Sequence, residues 1–430
     1  IVATNVAETG ITIETLKYVV DTGYHKSNEY DPIYRADMLI TKPVTQSMYK
    51  QRRGRVGRKA PGFAFPLYTK STFESLLEDQ FPDIIKKDTS LDLLSLIIMQ
   101  ADTLGECNTK TMHELMLTES KRTDYTAEGV RLDIRNRIIQ NLIKNTERTR
   151  LSDYESTISQ SAIDCYAFDL VDQPSADSMH TSLDRLYTTG AIYDNATPTA
   201  LGMIINKFRF IGLESIRCIL SGYAWEAPII DLITIVAALS VKQDMRVNER
   251  SRDSSYNPDP EPDQLIYSCD FITMLIYWYQ YQTICAAHIS ATLESKDVKI
   301  KHETPDEWCV RNGLKRAFFT EVASSREDII LSMSSIGLNP YAWFNHSYKT
   351  SDIDRSKWIT CIKQCLFEGF KSNICTWNSN KSFYETRFGR LSVFIEKEFL
   401  ATPLNLVEYG GSNPKYIMYD ALTYRQDSKT

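Results

Sequence analysis

Gln51-Arg52-Arg53-Gly54-Arg55-Val56-Gly57-Arg58 sets four arginines within seven residues and spaces them with two glycines. Planar guanidinium forks match phosphate oxygens through paired hydrogen bonds. Glycine lets a backbone approach a ligand closely. A solvated basic patch or a localisation run needs neither the leading Gln nor the placed glycines. The stretch therefore points to phosphate groups. Locally, Thr45–Val56 can form a helix with Thr45 as N-cap, and Pro61-Gly62 breaks it. On a helix, Arg55 and Arg58 are three apart and share a face.

Working outward, Leu16–Val20 (LKYVV) is a β-rich run that ends at Asp21-Thr22-Gly23, and Ile1-Val2 opens another apolar stretch. Both read as buried parallel strands, with a turn over Val6–Ile13 between them. Residues 24–44 alternate polar and apolar around Asp31-Pro32, which predicts a β-hairpin with its tip at Pro32 to Asp37. Phe63–Tyr68 (FAFPLY) is a further strand. Residues 1–70 are thus α/β. They carry 11 Lys+Arg against 6 Asp+Glu, a balance of +5 in a chain of net charge −6. A basic end on an acidic chain marks the place to look for a polyanion.

Beyond residue 70 helix signals dominate from Thr72 to Met99. Residues 101–163 form a polar, charged insertion with one amphipathic helix at Arg131–Lys144. Ser182 to Gly202 reads as helix, small hairpin and turn. Residues 203–345 are helical, with a solvated linker at Arg252–Asp263. A helix at Ile359–Phe370 leads to strand-like segments at Ser382–Thr386, Leu391–Ile395 and Tyr416–Tyr419, which suggests a small β-barrel.

The 430 residues suggest about three domains. With 43% hydrophobic and 24% charged residues, a disordered or collagen-like chain is excluded. No apolar run approaches the roughly 18 residues of a membrane span. The nine cysteines include no paired CxxC, so a reduced intracellular protein fits better than a disulfide framework or a zinc site. Cys361, Cys365 and Cys375 have only His346 nearby as a fourth ligand. Trp343, Trp358 and Trp377 read as core residues rather than base-stacking platforms.

With these residues in view, the chain resembles a family. QRRGRVGR looks like motif VI of superfamily 2 helicases of the DEAH/DExH type. Ala3–Ile13 (ATNVAETGITI), about forty residues earlier, is similar to their motif V, and Val19–Gly23 and Pro61–Tyr68 fit the strands around motif VI. The likeness continues through Phe168–Pro174, Ala191-Ile192, Leu201-Gly202, Phe210 to Val241, Gly369–Asn373, Tyr384–Thr386 and Lys415–Leu422. Its nearest look is to the helicases of large cytoplasmic DNA viruses.

The resemblance implies an architecture of α/β plus mainly α. Residues 1–70 would be the C-terminal part of a second RecA-like domain, 71–202 a winged helix with the 101–163 insertion, 203–345 a helical ratchet-like domain, and 346–430 an OB-like β-barrel. It implies an ATP-dependent RNA helicase, a nucleotide-binding hydrolase moving 3′ to 5′ with ATP and Mg2+. Arg58 would be the arginine finger, Arg55 a second phosphate contact, and Gln51 an orienter of the attacking water or a holder of the γ-phosphate. Thr12 and Glu14 would meet the ribose, where the family more often has Asp at the second position. Thr4 and Asn5 would hold the RNA backbone. The expected partner is RNA, single-stranded or a duplex with a 3′ overhang, met by a monomer without a membrane, in the host cytoplasm or the virion.

Two departures stand out. Gly10 occupies a position where many cellular relatives carry Ser, so coupling between RNA and nucleotide would pass through Thr9 or Thr12. No G-x-x-x-x-G-K-[ST] occurs, Gly105–Thr111 lacks its second glycine, and Asp306-Glu307-Trp308-Cys309 lacks the final His of a DExH box. The Mg2+ ligands are therefore expected in a first RecA-like domain upstream of Ile1, and the 430 residues alone are expected not to hydrolyse ATP. The alternatives are a nucleic-acid-binding scaffold with a retired motor and a DNA helicase.

Overall fold

The computed structural model describes residues 2–3, 6–9, 16–57, 61–103, 170–193, 196, 198–208, 210–241, 245–247, 269–294, 303–343, 352–388, 391–393 and 413–425. The expected Arg131–Lys144 helix, the Arg252–Asp263 linker and His346 lie outside them. The chain divides into two compact units. One comprises Ile1–Leu93, Ser159–Arg185 and Ala421–Thr430, and the other Leu94–Ile158 and Leu186–Asp420.

The first unit begins with a one-turn helix, α1 (Val6–Thr9), where the sequence predicted a turn. Strand β1 (Tyr18–Asp21) leads into a hairpin of β2 (Tyr24–Asp31) and β3 (Ala36–Pro43), paired from Tyr24–Pro43 to Asp31–Ala36. Asp31 makes the reversal, since its Oδ1 accepts from the amides of Ile33 and Tyr34 at 2.9 and 3.0 Å. Helix α2 (Gln46–Arg53) follows, and Thr45 caps it by accepting from the Met48 amide at 3.2 Å. Strand β4 (Phe63–Pro66) returns beside β1 in parallel register, Tyr18 opposite Phe63. Three further helices, α3 (Lys70–Ser75), α4 (Asp83–Lys86) and α5 (Ser90–Thr103), lead to the segment outside the described residues. Helix α6 (Ala176–Thr189) then supplies Thr181 and Asp184 to the hairpin tip. Thr181 donates to the Pro32 carbonyl at 3.1 Å and Asp184 pairs with Arg35.

The expectation of buried strands needs correction. Val2 is coil and fully exposed, and Tyr18, Val20, Phe63 and Phe65 are half or more exposed. A two-stranded parallel sheet has two faces, and only Asp21 of β1 is buried. The other face stays open among the described residues. Apolar alternation reported strand but not coverage.

The second unit is mainly helical. Helix α7 (Ala200–Ile205) is capped by Thr199 and packs so tightly on Ala191 that a side chain at Gly202 would meet the Ala191 carbonyl oxygen at 2.0 Å. Helices α8 (Leu213–Trp225), α9 (Ile229–Ser240), α10 (Asp270–Glu294), α11 (Pro305–Arg311), α12 (Arg316–Ser335) and α13 (Asp352–Phe370) follow. Helix α8 packs on α13, and α9 on α12. Gly369 permits the first contact, because a Cβ there would lie 2.6 Å from the Glu214 carbonyl oxygen. All of α9 from Ile229 to Ala238 is buried. At its start the Asp231 carboxylate accepts from Trp358 Nε1 at 2.7 Å and from the Tyr279 hydroxyl.

Strands β5 (Ile374–Asn378), β6 (Phe383–Thr386), β7 (Ser392–Val393) and β8 (Tyr416–Met418) form an antiparallel sheet ordered β7-β6-β5-β8. The sequence reading missed β5. In the first unit, β9 (Thr423–Arg425) adds in parallel to β3. The described cysteines are free thiols, with Cys218, Cys309, Cys365 and Cys375 buried. Among the described residues no group of three His, Cys, Asp or Glu side chains could hold a metal.

Candidate functional site

Helix α2 ends at Arg53, three residues earlier than expected. Gly54 caps it, donating to the Lys50 carbonyl at 2.9 Å, and Arg55 and Val56 continue as a tight turn with amides bonded to Arg52 and Arg53. Gly57 then takes φ +81°, a conformation that L side chains reach only with strain. Arg55 thus sits on a turn and not on the helix. Glycine at 54 and 57 supplies the physical reason, since it weakens a helix and frees the left-handed backbone. Gly62 closes the turn from the far side. A Cβ there would lie 2.8 Å from the Val56 Cβ and 3.0 Å from the Lys17 carbonyl oxygen.

On this frame Gln51 is exposed in the last turn of α2 and Arg55 is half-buried. The Arg55 Nε is buried and has no hydrogen-bond partner. An unmet guanidinium donor on a glycine-flanked turn is suited to an incoming anion. Arg58, Thr4, Asn5, Thr12 and Glu14 lie outside the described residues, so of the predicted set the structure places Gln51 and Arg55.

Sequence reasoning missed the residues that hold this turn. The Arg52 guanidinium reaches Glu8 of α1, Nε to Oε1 at 2.6 Å, and Asp21 of β1, NH1 to Oδ1 at 2.6 Å. It also donates to the Tyr24 carbonyl at 3.2 Å. Asp21 in turn accepts from the Tyr68 hydroxyl at 2.9 Å and the Gly23 amide at 3.1 Å. The side chains of Glu8 and Asp21 are 9% and 1% exposed, so solvent screens these bonds little. Burial pulls the Arg52 pKa down, but its bonds to Asp21 and Glu8 outweigh that and raise it. Burial first, then the bond to Asp21, pushes the Tyr68 phenol up. Beside this cluster the pKa of His25 is lowered by burial and by the Arg52 charge. Only the acids inside ATNVAETG and VVDTG hinted at such a hub, and no local period ties them to Arg52.

A shallow aromatic cleft is lined by Tyr49, Pro66, Tyr68, Thr69, Lys70 and Phe73. Of the predicted site residues that the structure describes, Gln51 and Arg55, neither lines it.

Residues 1–60 match the helicase conserved C-terminal domain family. The chain is also similar to the African swine fever virus protein named "Putative RNA Helicase B962L". Identity is 27% over 413 residues for the Pretoriuskop tick isolate and 28% for the Kenya pig isolate, in each case over 90% of this chain and 37% of the relative. A 116-residue stretch, 27% of this chain and 17% of the relative, is 39% identical to "Putative ATP-dependent RNA helicase L540" of Acanthamoeba polyphaga mimivirus. The chain therefore spans little more than a third of the length of the curated swine fever virus relatives it matches. Among the described residues no helix is long and apolar enough to cross a membrane. The helicase C-terminal domain match thus falls on the α/β frame around the arginine turn, and over most of its length the chain is similar to viral proteins named as putative RNA helicases.

Proposed function

We propose that the chain belongs to an ATP-dependent RNA helicase that couples hydrolysis to 3′–5′ translocation and duplex unwinding. The observation that carries the reading is Arg55, held half-buried on a glycine-flanked turn with an unmet Nε donor. Charge develops on the γ-phosphoryl oxygens during phosphoryl transfer, and a fixed cation aimed there lowers the barrier. In this reading Arg58 and Arg55 meet the γ-phosphate and Gln51 orients the attacking water. Thr12 and Glu14 take the ribose, and Thr4 and Asn5 hold the RNA backbone. ATP would be the nucleotide, and Mg2+ bound with it would neutralise the charge that develops on the transferred phosphoryl group. The described residues of this chain offer Mg2+ no cluster.

The rest of the chain fits RNA handling. Residues 71–202 read as the winged helix with its 101–163 insertion and 203–345 as the ratchet-like helices. Residues 346–430 read as the OB-like module, for which the four-stranded antiparallel sheet gives support. The β2–β3 hairpin is the strand separator, and its tip is braced by Arg35 and Asp184. The protein acts as a monomer on single strands or duplexes with a 3′ overhang, in the host cytoplasm or the virion.

The test uses the full-length protein. Unwinding is expected on a duplex with a 3′ overhang and not on one with a 5′ overhang. Deleting the tip, Pro32–Asp37, is expected to impair unwinding while sparing ATP hydrolysis. Equal activity on both overhangs, or equal loss of both activities on deletion, overturns the assignment. The 430-residue chain alone is expected to show no turnover.

A further inference from the structure

The geometry points to Arg52 as a positioning residue that couples RNA contact to the phosphate-facing arginine turn through its ion pair with Glu8. This rests on the helicase reading above and assigns a role to residues outside its proposed contact set.

Glu8 lies on α1, the turn of helix directly after Thr4 and Asn5, the proposed RNA contacts. Arg52 lies in the last turn of α2, and its carbonyl accepts from the Arg55 amide at 3.1 Å. One side chain therefore joins the segment behind the RNA contacts to the segment that starts the arginine turn. The joint is a fork, with Nε and NH2 on Glu8 Oε1 at 2.6 and 2.5 Å and NH1 on Asp21 at 2.6 Å. Its two limbs differ in kind. Asp21 is tied to β1, to the Gly23 amide and to Tyr68, so that limb is an anchor. Glu8 stands on a four-residue helix, so that limb can shift with whatever pulls on α1. A displacement of α1 moves the Glu8 carboxylate, the fork follows or breaks, and the turn that carries Arg55 is re-aimed.

Geometry sets what a substitution does. Arg52→Lys keeps the charge but replaces a rigid fork with one ammonium, which can serve the anchor or the mobile limb and not both. Glu8→Gln keeps the shape and removes the charge from the mobile limb alone. Asp21→Asn weakens the anchor alone.

The experiment measures ATP hydrolysis by the full-length protein with and without a single-stranded RNA, together with its unfolding midpoint. Arg52→Lys and Glu8→Gln are expected to lower the RNA-stimulated kcat about tenfold, within the range of coupling between linked sites. Unstimulated turnover and the KM for ATP should hold near the wild-type values. Asp21→Asn, in contrast, should lower the unfolding midpoint and both turnover rates in step. If Arg52→Lys does not fold, Glu8→Gln carries the test by itself. A stimulated wild type whose Glu8→Gln variant keeps the full stimulation ratio overturns the coupling role alone, as does a variant that loses both rates by one factor. A wild type that RNA does not stimulate overturns the helicase reading and this role together.

Discussion

In the first unit several long-range bonds run between charges. Arg52 meets Glu8 and Asp21, Arg35 meets Asp184, and Arg185 meets Asp88 at 2.6 Å. In the helical unit the chain buries α9 from Ile229 to Ala238 and gathers Trp308, Phe319 and Trp358 into the core. There a buried carboxylate, Asp231, is held by hydrogen bonds from an indole and a phenol. The contrast follows from what each region must do. Ion pairs fix direction at modest net stability, which suits a turn that presents an arginine. Apolar packing gives the larger stabilisation without direction, which suits a scaffold.

The sharpest break of this comparison is Arg55→Ala in the full-length protein. Loss of a second phosphate contact should cost about 10²-fold in kcat, and fold and unfolding midpoint should be unchanged. Wild-type turnover in that variant would remove Arg55 from the site. Next in size is Asp231→Ala, which leaves the Trp358 and Tyr279 donors without their acceptor and should cost about 2–3 kcal/mol by chemical denaturation. Asp231→Asn should cost less, because an acceptor remains. Burial raises the Asp231 pKa from 3.8 to about 6 against the pull of its two donors. The folded state therefore binds the proton more tightly, and stability falls as pH rises through that window. The Asn variant is expected to lose this part of the slope, and an unchanged slope would show that Asp231 does not titrate there.

Smaller effects probe the turn. Gly57→Ala forces a side chain to φ +81° and should cost about 1–2 kcal/mol, visible as a lower unfolding midpoint. A neutral result would mean the turn relaxes out of the left-handed region. Smallest is Thr45→Ala, which removes the α2 cap and should cost about 1 kcal/mol in the same assay.

Particular elements show which parts of the fold were legible. Thr45 and the polar–apolar run around Asp31-Pro32 announced α2 and the hairpin, because capping and turn chemistry are written within four residues. The end of α2 was placed too late, at Val56, since helix propensity outweighed two glycines in the reading and not in the chain. Helix α1 and strand β5 escaped because four or five residues carry too little period to register. The burial expected for β1 failed because an apolar pattern does not say whether a second layer covers it.

By itself the sequence determined the chemistry on offer: arginines between glycines, in an α/β segment with a basic balance, followed by a mainly helical body. Those are local properties, and local sterics and charge suffice to read them. Only the tertiary structure decided that Arg52 is spent on Glu8 and Asp21 while the Arg55 Nε is left without a partner. Partners 44 and 31 residues away meet only when the chain has folded, and no periodicity along the sequence encodes which of several like charges will be neutralised.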